Sequence, residues 1–110
     1  NRLALAEGLL FGLRQGLDGK ALLAVLKDSA AYSRAMDIKG ERMLEGNFEP
    51  EGKLAQHLKD VDLMLEVGHA VGAPLLATAL HRQLLLAGVA AGLSERDNSS
   101  IIAVLRSIIE

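Results

Sequence analysis

A lysine and an aspartate stand side by side at Lys59-Asp60, between Leu58 and Val61. Neighbours on a helix diverge by about 100°, so the two charges can face different partners while both border an apolar stripe. An ammonium at the rim of a cleft could donate to a ribose hydroxyl or another polar group of a bound cofactor. The same residues also fit a solvated face, on which Lys59 pairs with Asp62 at i+3 in a surface bridge worth little. His57, His69 and His81 recur twelve residues apart, so none has a histidine at i+3 or i+4; they read as helix-surface or core side chains, with no metal site expected. Gly12-Leu13-Arg14-Gln15-Gly16-Leu17-Asp18-Gly19 is glycine-rich but lacks the G-x-G-x-x-G order and follows a helical rhythm, so it forms no phosphate cradle. Ser99-Ser100 has no adjacent base and reads as capping residues.

The elements that must position these residues are helical. Leu3, Ala6, Leu10 and Leu13 share one stripe over residues 1–15, and the rhythm starts at once, as though a longer helix had been cut. On that helix Ala4, Gly8, Gly12 and Gly16 recur every four residues, a smooth face that predicts close approach by a second helix and a central, two-sided packing. Gly16-Leu17-Asp18-Gly19 ends the helix on a glycine and opens the next on an N-cap aspartate. Residues 19–28 form that second helix, with Leu22, Leu23 and Leu26 on its face. Residues 31–46 are expected to break into two short helices at Gly40.

Asn47 to Gly52 predicts a loop, with Pro50 and Glu51 suited to a first helical turn. Leu54, Leu58, Val61 and Leu65 then mark a long amphipathic helix over 52–71. A further helix over 74–91 is apolar almost all round and is expected to be buried. Ser94 to Asn98 reads as a polar connection, and Ile101, Ile102, Leu105, Ile108 and Ile109 are expected to face inward from a last helix.

With 110 residues, 50% of them hydrophobic, the chain is sized for one all-α domain spanning 1–110 with a real core. Leu and Ala, 22 and 16 residues, dominate, while aromatics are 3%, a composition for packed helices rather than sheets. A net charge of -2 without a basic run argues against nucleic acid, including a helix-turn-helix mode in which Lys20 and Lys27 would be the only nearby cations. No cysteine is present, which excludes disulfides and thiolate metal sites and leaves a cytoplasmic default. The longest uncharged stretch, 67–80, is too short and too interrupted by glycine and proline to span a membrane.

Taken in order, Ala6-Glu7-Gly8, Gly16-Leu17-Asp18, Met43-Leu44, Asn47-Phe48-x-Pro50, His57-Leu58-Lys59-Asp60, Leu65 to Ala73 before Pro74, and Asp97 to Ser100 form a pattern covering essentially the whole chain. It resembles the C-terminal helical domain of the β-hydroxyacid dehydrogenases, a family that includes 3-hydroxyisobutyrate dehydrogenase and tartronate semialdehyde reductase. The Asn-Phe-x-Pro loop followed by a Lys-Asp pair in the next helix is its most specific combination.

The resemblance implies an all-α bundle like the C-terminal domain of 6-phosphogluconate dehydrogenase, behind an N-terminal Rossmann domain that is absent from this sequence. It implies NAD or NADP as cofactor, held mainly by that domain, a small 3-hydroxy acid as substrate, and a homodimer or homotetramer. The family's catalytic Lys would lie about three turns upstream of Asn1, so these residues alone are expected to be inactive. Lys59 would then contact the cofactor on its nicotinamide side, and Asp60 would border the substrate cleft. One departure stands out: Glu51-Gly52-Lys53 occupies the place where the family commonly has glycine and a bulky apolar residue, removing an apolar wall and adding negative charge. A reading from a different class is a non-catalytic helical oligomerisation or interaction module.

Overall fold

The computed structural model describes residues 1–110. Six α-helices follow one another: α1 (Arg2–Arg14), α2 (Gly19–Lys27), α3 (Arg34–Glu45), α4 (Leu54–Ala70), α5 (Leu76–Ala90) and α6 (Ile101–Ile109), the last preceded by a 3-10 turn at Asn98–Ser100. There is no strand; one isolated antiparallel bridge joins Lys53 to Asp97. No helix is long and apolar enough to cross a membrane.

The expected punctuation forms where the chemistry demands it. Gly16 takes φ +84, a region costly for any residue with a Cβ, and lets the Leu17 amide return to the Gly12 carbonyl at 3.1 Å. Two residues on, the Asp18 carboxylate accepts the Ala21 amide at 2.9 Å and starts α2. The first two helices therefore fold back on one another through a minimal turn.

α1 runs between α6 on one side and α2 and α3 on the other, and α4 and α5 form a hairpin whose second helix also meets α6. Leu5, Ala6, Leu9 and Leu10 of α1 meet Leu23, Met36 and Met43 of α2 and α3, and Ile101, Ile102 and Val104 of α6. Leu54 and Val61 of α4 and Leu85 of α5 continue the same core. Each such Leu, Ile, Val or Met side chain, fully buried, contributes roughly 1.5–3 kcal/mol.

Several sequence expectations are corrected here. Residues 34–45 form one helix, because Gly40 is a packing position rather than a break: an added Cβ would come within 2.7 Å of the Leu23 side chain. The smooth face of α1 is only partly covered. Gly12 receives the Leu22 side chain, whereas nothing lies within 4 Å of a Cβ built on Gly8. α5 is not buried; only Leu85 and Gly88 are, and Leu76 is 81% exposed, since the helix lies at the bundle's edge with neighbours on one side. Ile108 and Ile109 likewise point outward. Pro50 and Glu51 stay in the loop, and α4 begins at Leu54.

Candidate functional site

Lys59 and Asp60 lie in the second turn of α4, both exposed. Leu54 and Val61 direct the opposite face of that helix into the core, which turns the two charges outward. Asp62 does not pair with Lys59; Arg82 of α5 holds it at 2.5 Å. The bridge expected at i+3 is thus replaced by one between helices, because the α4–α5 hairpin brings a guanidinium alongside. Lys59 and Asp60 enter none of the chain's ion pairs. Their donor and acceptor capacity faces solvent.

This turn sits beside the start of α1. Arg2 reaches the His57 Nδ1 at 3.5 Å, and the His57 and His81 rings meet edge to face with centroids 5.0 Å apart, so α1, α4 and α5 converge there. Histidine spacing in the sequence gave no sign of this pair, because the contact is made across the hairpin. Burial, then the charges of Arg2 and His81, push His57 down to about 4, with Asp60 opposing. His81 is lowered too, by burial first and then by Arg2. Burial thus favours the neutral form of both rings, and the nearby cations acting on them are Arg2 and the N-terminal ammonium. No group of three or more His, Asp, Glu or Cys side chains is gathered in a way that could hold a metal ion.

A second polar centre escaped the sequence reading. Asp97 is fully buried, and its carboxylate accepts the Lys39 ammonium on both oxygens at 3.0 Å. Oδ1 also accepts the amides of Glu51 and Gly52 at 3.0 and 3.1 Å; Oδ2 accepts the amide and hydroxyl of Ser99 at 3.0 and 2.5 Å. Burial alone would raise the Asp97 pKa, but the hydrogen bonds from Ser99, Glu51 and Gly52 outweigh it and hold the carboxyl well below the usual range. The polar connection expected over Ser94 to Asn98 is buried at Asp97 and Asn98, and the burial continues through Ser99 and Ser100. Its signal was in the sequence: Lys39 lies on the same helical stripe as Met36 and Met43, and a cation there needs a buried partner.

Asp97 positions the loop before α4. The Asp97 amide donates to the Phe48 carbonyl at 2.9 Å and the Asn98 amide to the Gly52 carbonyl at 2.7 Å. Lys53, the N-cap of α4, offers no capping side chain. The amides of Leu54 and Ala55 are satisfied instead by the carbonyls of Arg96 and Ser94 at 2.8 and 3.0 Å. Glu51 pairs with Arg42 at 2.7 Å, so the negative charge expected near the cleft is matched by a neighbouring cation. With its acceptors filled, Asp97 is a fastener, whereas Lys59 and Asp60, like Glu7, Arg14, Lys20 and other exposed charges, enter no ion pair.

Residues 1–105 match the family model described as NAD-binding of NADP-dependent 3-hydroxyisobutyrate dehydrogenase. The chain is 34% identical over 102 residues to the 2-hydroxy-3-oxopropionate reductase of Escherichia coli, a match covering 93% of this chain and 35% of that protein. It is 33% identical over 105 residues to the 2-(hydroxymethyl)glutarate dehydrogenase of Eubacterium barkeri, covering 94% and 35%. A crystal structure of 3-hydroxyisobutyrate dehydrogenase from Salmonella typhimurium shares the fold with a TM-score of 0.89 at 20% identity, over 94% of this chain and 36% of that one. The chain thus spans about a third of the length of the relatives it matches. From its first residue to within a turn and a half of its last, it belongs to the NAD-binding family of NADP-dependent 3-hydroxyisobutyrate dehydrogenase.

Proposed function

We propose that this chain is the C-terminal, cleft-closing domain of an NAD(P)-dependent oxidoreductase that reversibly oxidises a small 3-hydroxy acid to a semialdehyde. The observation that carries the reading is the exposed, unpaired Lys59-Asp60 turn, held beside the start of α1 by the Arg2–His57 contact. A lysine and an aspartate with filled ion pairs would be surface decoration; here neither is engaged. The match of the chain to a nicotinamide-enzyme family supports the same assignment.

NAD or NADP, bound mainly by a preceding Rossmann domain, would supply the hydride acceptor, and the family's catalytic Lys would come from the α1 helix upstream of Asn1. Within this chain, Lys59 donates hydrogen bonds to polar groups of the cofactor on its nicotinamide side. Asp60, turned about 100° from Lys59, borders the substrate cleft and orients a hydroxyl there. The rigid α4–α5 hairpin encloses the reacting atoms and excludes water, which is what a second domain adds to hydride transfer. Self-association into a dimer or tetramer belongs to the same reading, supported by apolar side chains left on the surface of α1, α4 and α5. A cytoplasmic setting accompanies it.

The test compares Lys59→Ala with wild type in the intact protein. We expect the KM for the nicotinamide cofactor to rise about tenfold, as for loss of a charge-assisted hydrogen bond, with Lys59→Arg retaining part of the affinity. Unchanged cofactor use in Lys59→Ala, or turnover by residues 1–110 alone, would refute the assignment.

A further inference from the structure

We propose that Arg2 and His57 are positioning residues: their contact sets the angle between the stem of α1 and the Lys59-Asp60 turn, and through that angle the rate of the chemical step. The inference rests on the reading above, in which the catalytic Lys lies upstream on the α1 helix. It gives a role to two side chains that touch neither cofactor nor substrate.

α1 and α4 are otherwise poorly joined. α1 packs chiefly on α6, α3 and α2, whereas α4 packs chiefly on α5 and the 3-10 turn. Arg2 to His57 is the only side-chain hydrogen bond between α1 and the α4–α5 hairpin, and no ion pair links them. The apolar residues that anchor α1, Leu5, Ala6, Leu9 and Leu10, all lie further along the helix. Its first turn therefore depends on Arg2 for its bearing on α4.

The contact is set into the protein rather than laid on its surface. The Arg2 Nε is shielded from solvent and has no hydrogen-bond partner, so the guanidinium sits there against a desolvation cost. His57 is backed in turn by His81, whose ring meets it edge to face with centroids 5.0 Å apart and ties the contact to α5. A guanidinium only donates, so the His57 Nδ1, 3.5 Å away, must accept, and the neutral ring carries its proton on Nε2.

Leverage gives this one contact its weight. Three helical turns upstream of Asn1 are about 16 Å, so a tilt of about 4° at Arg2 moves the far end of the helix by about 1 Å. A displacement of that size costs about a hundredfold in rate where reacting groups must be aligned. The cofactor is held mainly by the preceding domain, and Lys59 stays fixed to α4 however α1 leans. Loss of the contact should therefore fall on kcat and spare cofactor affinity.

Steady-state kinetics of the intact protein, at saturating cofactor and substrate, test the assignment. Arg2→Met should lower kcat about tenfold and leave the cofactor KM within about twofold of wild type, the opposite of Lys59→Ala. His57→Phe keeps a ring against His81 but loses the acceptor, and should be as slow as Arg2→Met. His57→Asn puts a carbonyl near the place of Nδ1 and should hold kcat within about threefold of wild type. The R2M/H57F chain should be no slower than either single variant, as expected of two residues acting through one contact. Wild-type kcat in Arg2→Met, His57→Asn as slow as His57→Phe, or losses that multiply in the double variant would overturn the proposal. Should Arg2→Met fail to fold in a thermal melt, the two His57 variants decide by themselves. Normal cofactor use in Lys59→Ala beside a slow Arg2→Met would break the cofactor assignment and keep the positioning role, so the two failures are read separately.

Discussion

Asp97 and Asp60 are carboxylates in the same small bundle, and they are treated in opposite ways. Asp97 is withdrawn completely from solvent and saturated by Lys39, Ser99 and the amides of Glu51 and Gly52. Asp60 and its neighbour Lys59 are held in water with no partner, although Arg82 is close enough to engage Asp62 half a turn away. The contrast teaches how one chain divides its charges. Those that define the fold are buried and fully paired, because an unpaired buried charge costs several kcal/mol. Lys59 and Asp60 are fixed in direction by the helix beneath them and enter no ion pair, which leaves them free for the contacts proposed above.

Breaking the first half of the contrast should have the largest effect. Asp97→Ala leaves the Lys39 ammonium buried without a counter-ion and releases the Glu51 and Gly52 amides. Urea unfolding should show a loss of about 3–5 kcal/mol, a large part of what a domain of this size possesses. Because the folded-state pKa of Asp97 is depressed, its contribution is complete above the unfolded carboxyl's ordinary value of about 3.9 and is lost as pH falls below it, through the folded value. Ser99→Ala removes one donor to the same carboxylate and should cost about 1.5–3 kcal/mol by the same measurement.

The histidine pair sharpens the comparison at the other end of α4. Protonation of His57 is disfavoured in the folded state, so stability should be full above about 6.5 and should decline as pH falls toward 4. A thermal melt across that range should be flatter for His57→Gln than for wild type. Lys59→Ala should change stability least, within about 0.5 kcal/mol, while impairing cofactor use. On the proposed reading, a lysine whose loss would move function but not stability is the counterpart of an aspartate whose loss would move stability first.

The helices were legible because their signals are local. Apolar spacing located α1, α2, α4 and α6, and Gly16 with Asp18 located the first turn, since periodicity and capping act within a few residues. What failed required knowledge of neighbours. Gly40 reads as a breaker until Leu23 is seen to need its space. The leucines encircling α5 read as a buried helix, but burial depends on how many sides are covered, which a single segment does not encode. Lys39–Asp97 joins α3 to the start of α6, and no spacing rule reaches between them. The Lys59-Asp60 turn was placed by pattern and by family resemblance; its lack of ion-pair partners emerged only when Asp62 was found with Arg82.

The way α4 begins carries a consequence for motion. Since the Leu54 and Ala55 amides are capped by carbonyls from Arg96 and Ser94 rather than by a nearby side chain, the helix cannot fray by itself. Its first turn and the segment leading into α6 must open together, as one cooperative unit in amide hydrogen exchange. A molecule that quiets the first turns of α4 should therefore also slow exchange in the Ser94–Arg96 segment, far along the sequence.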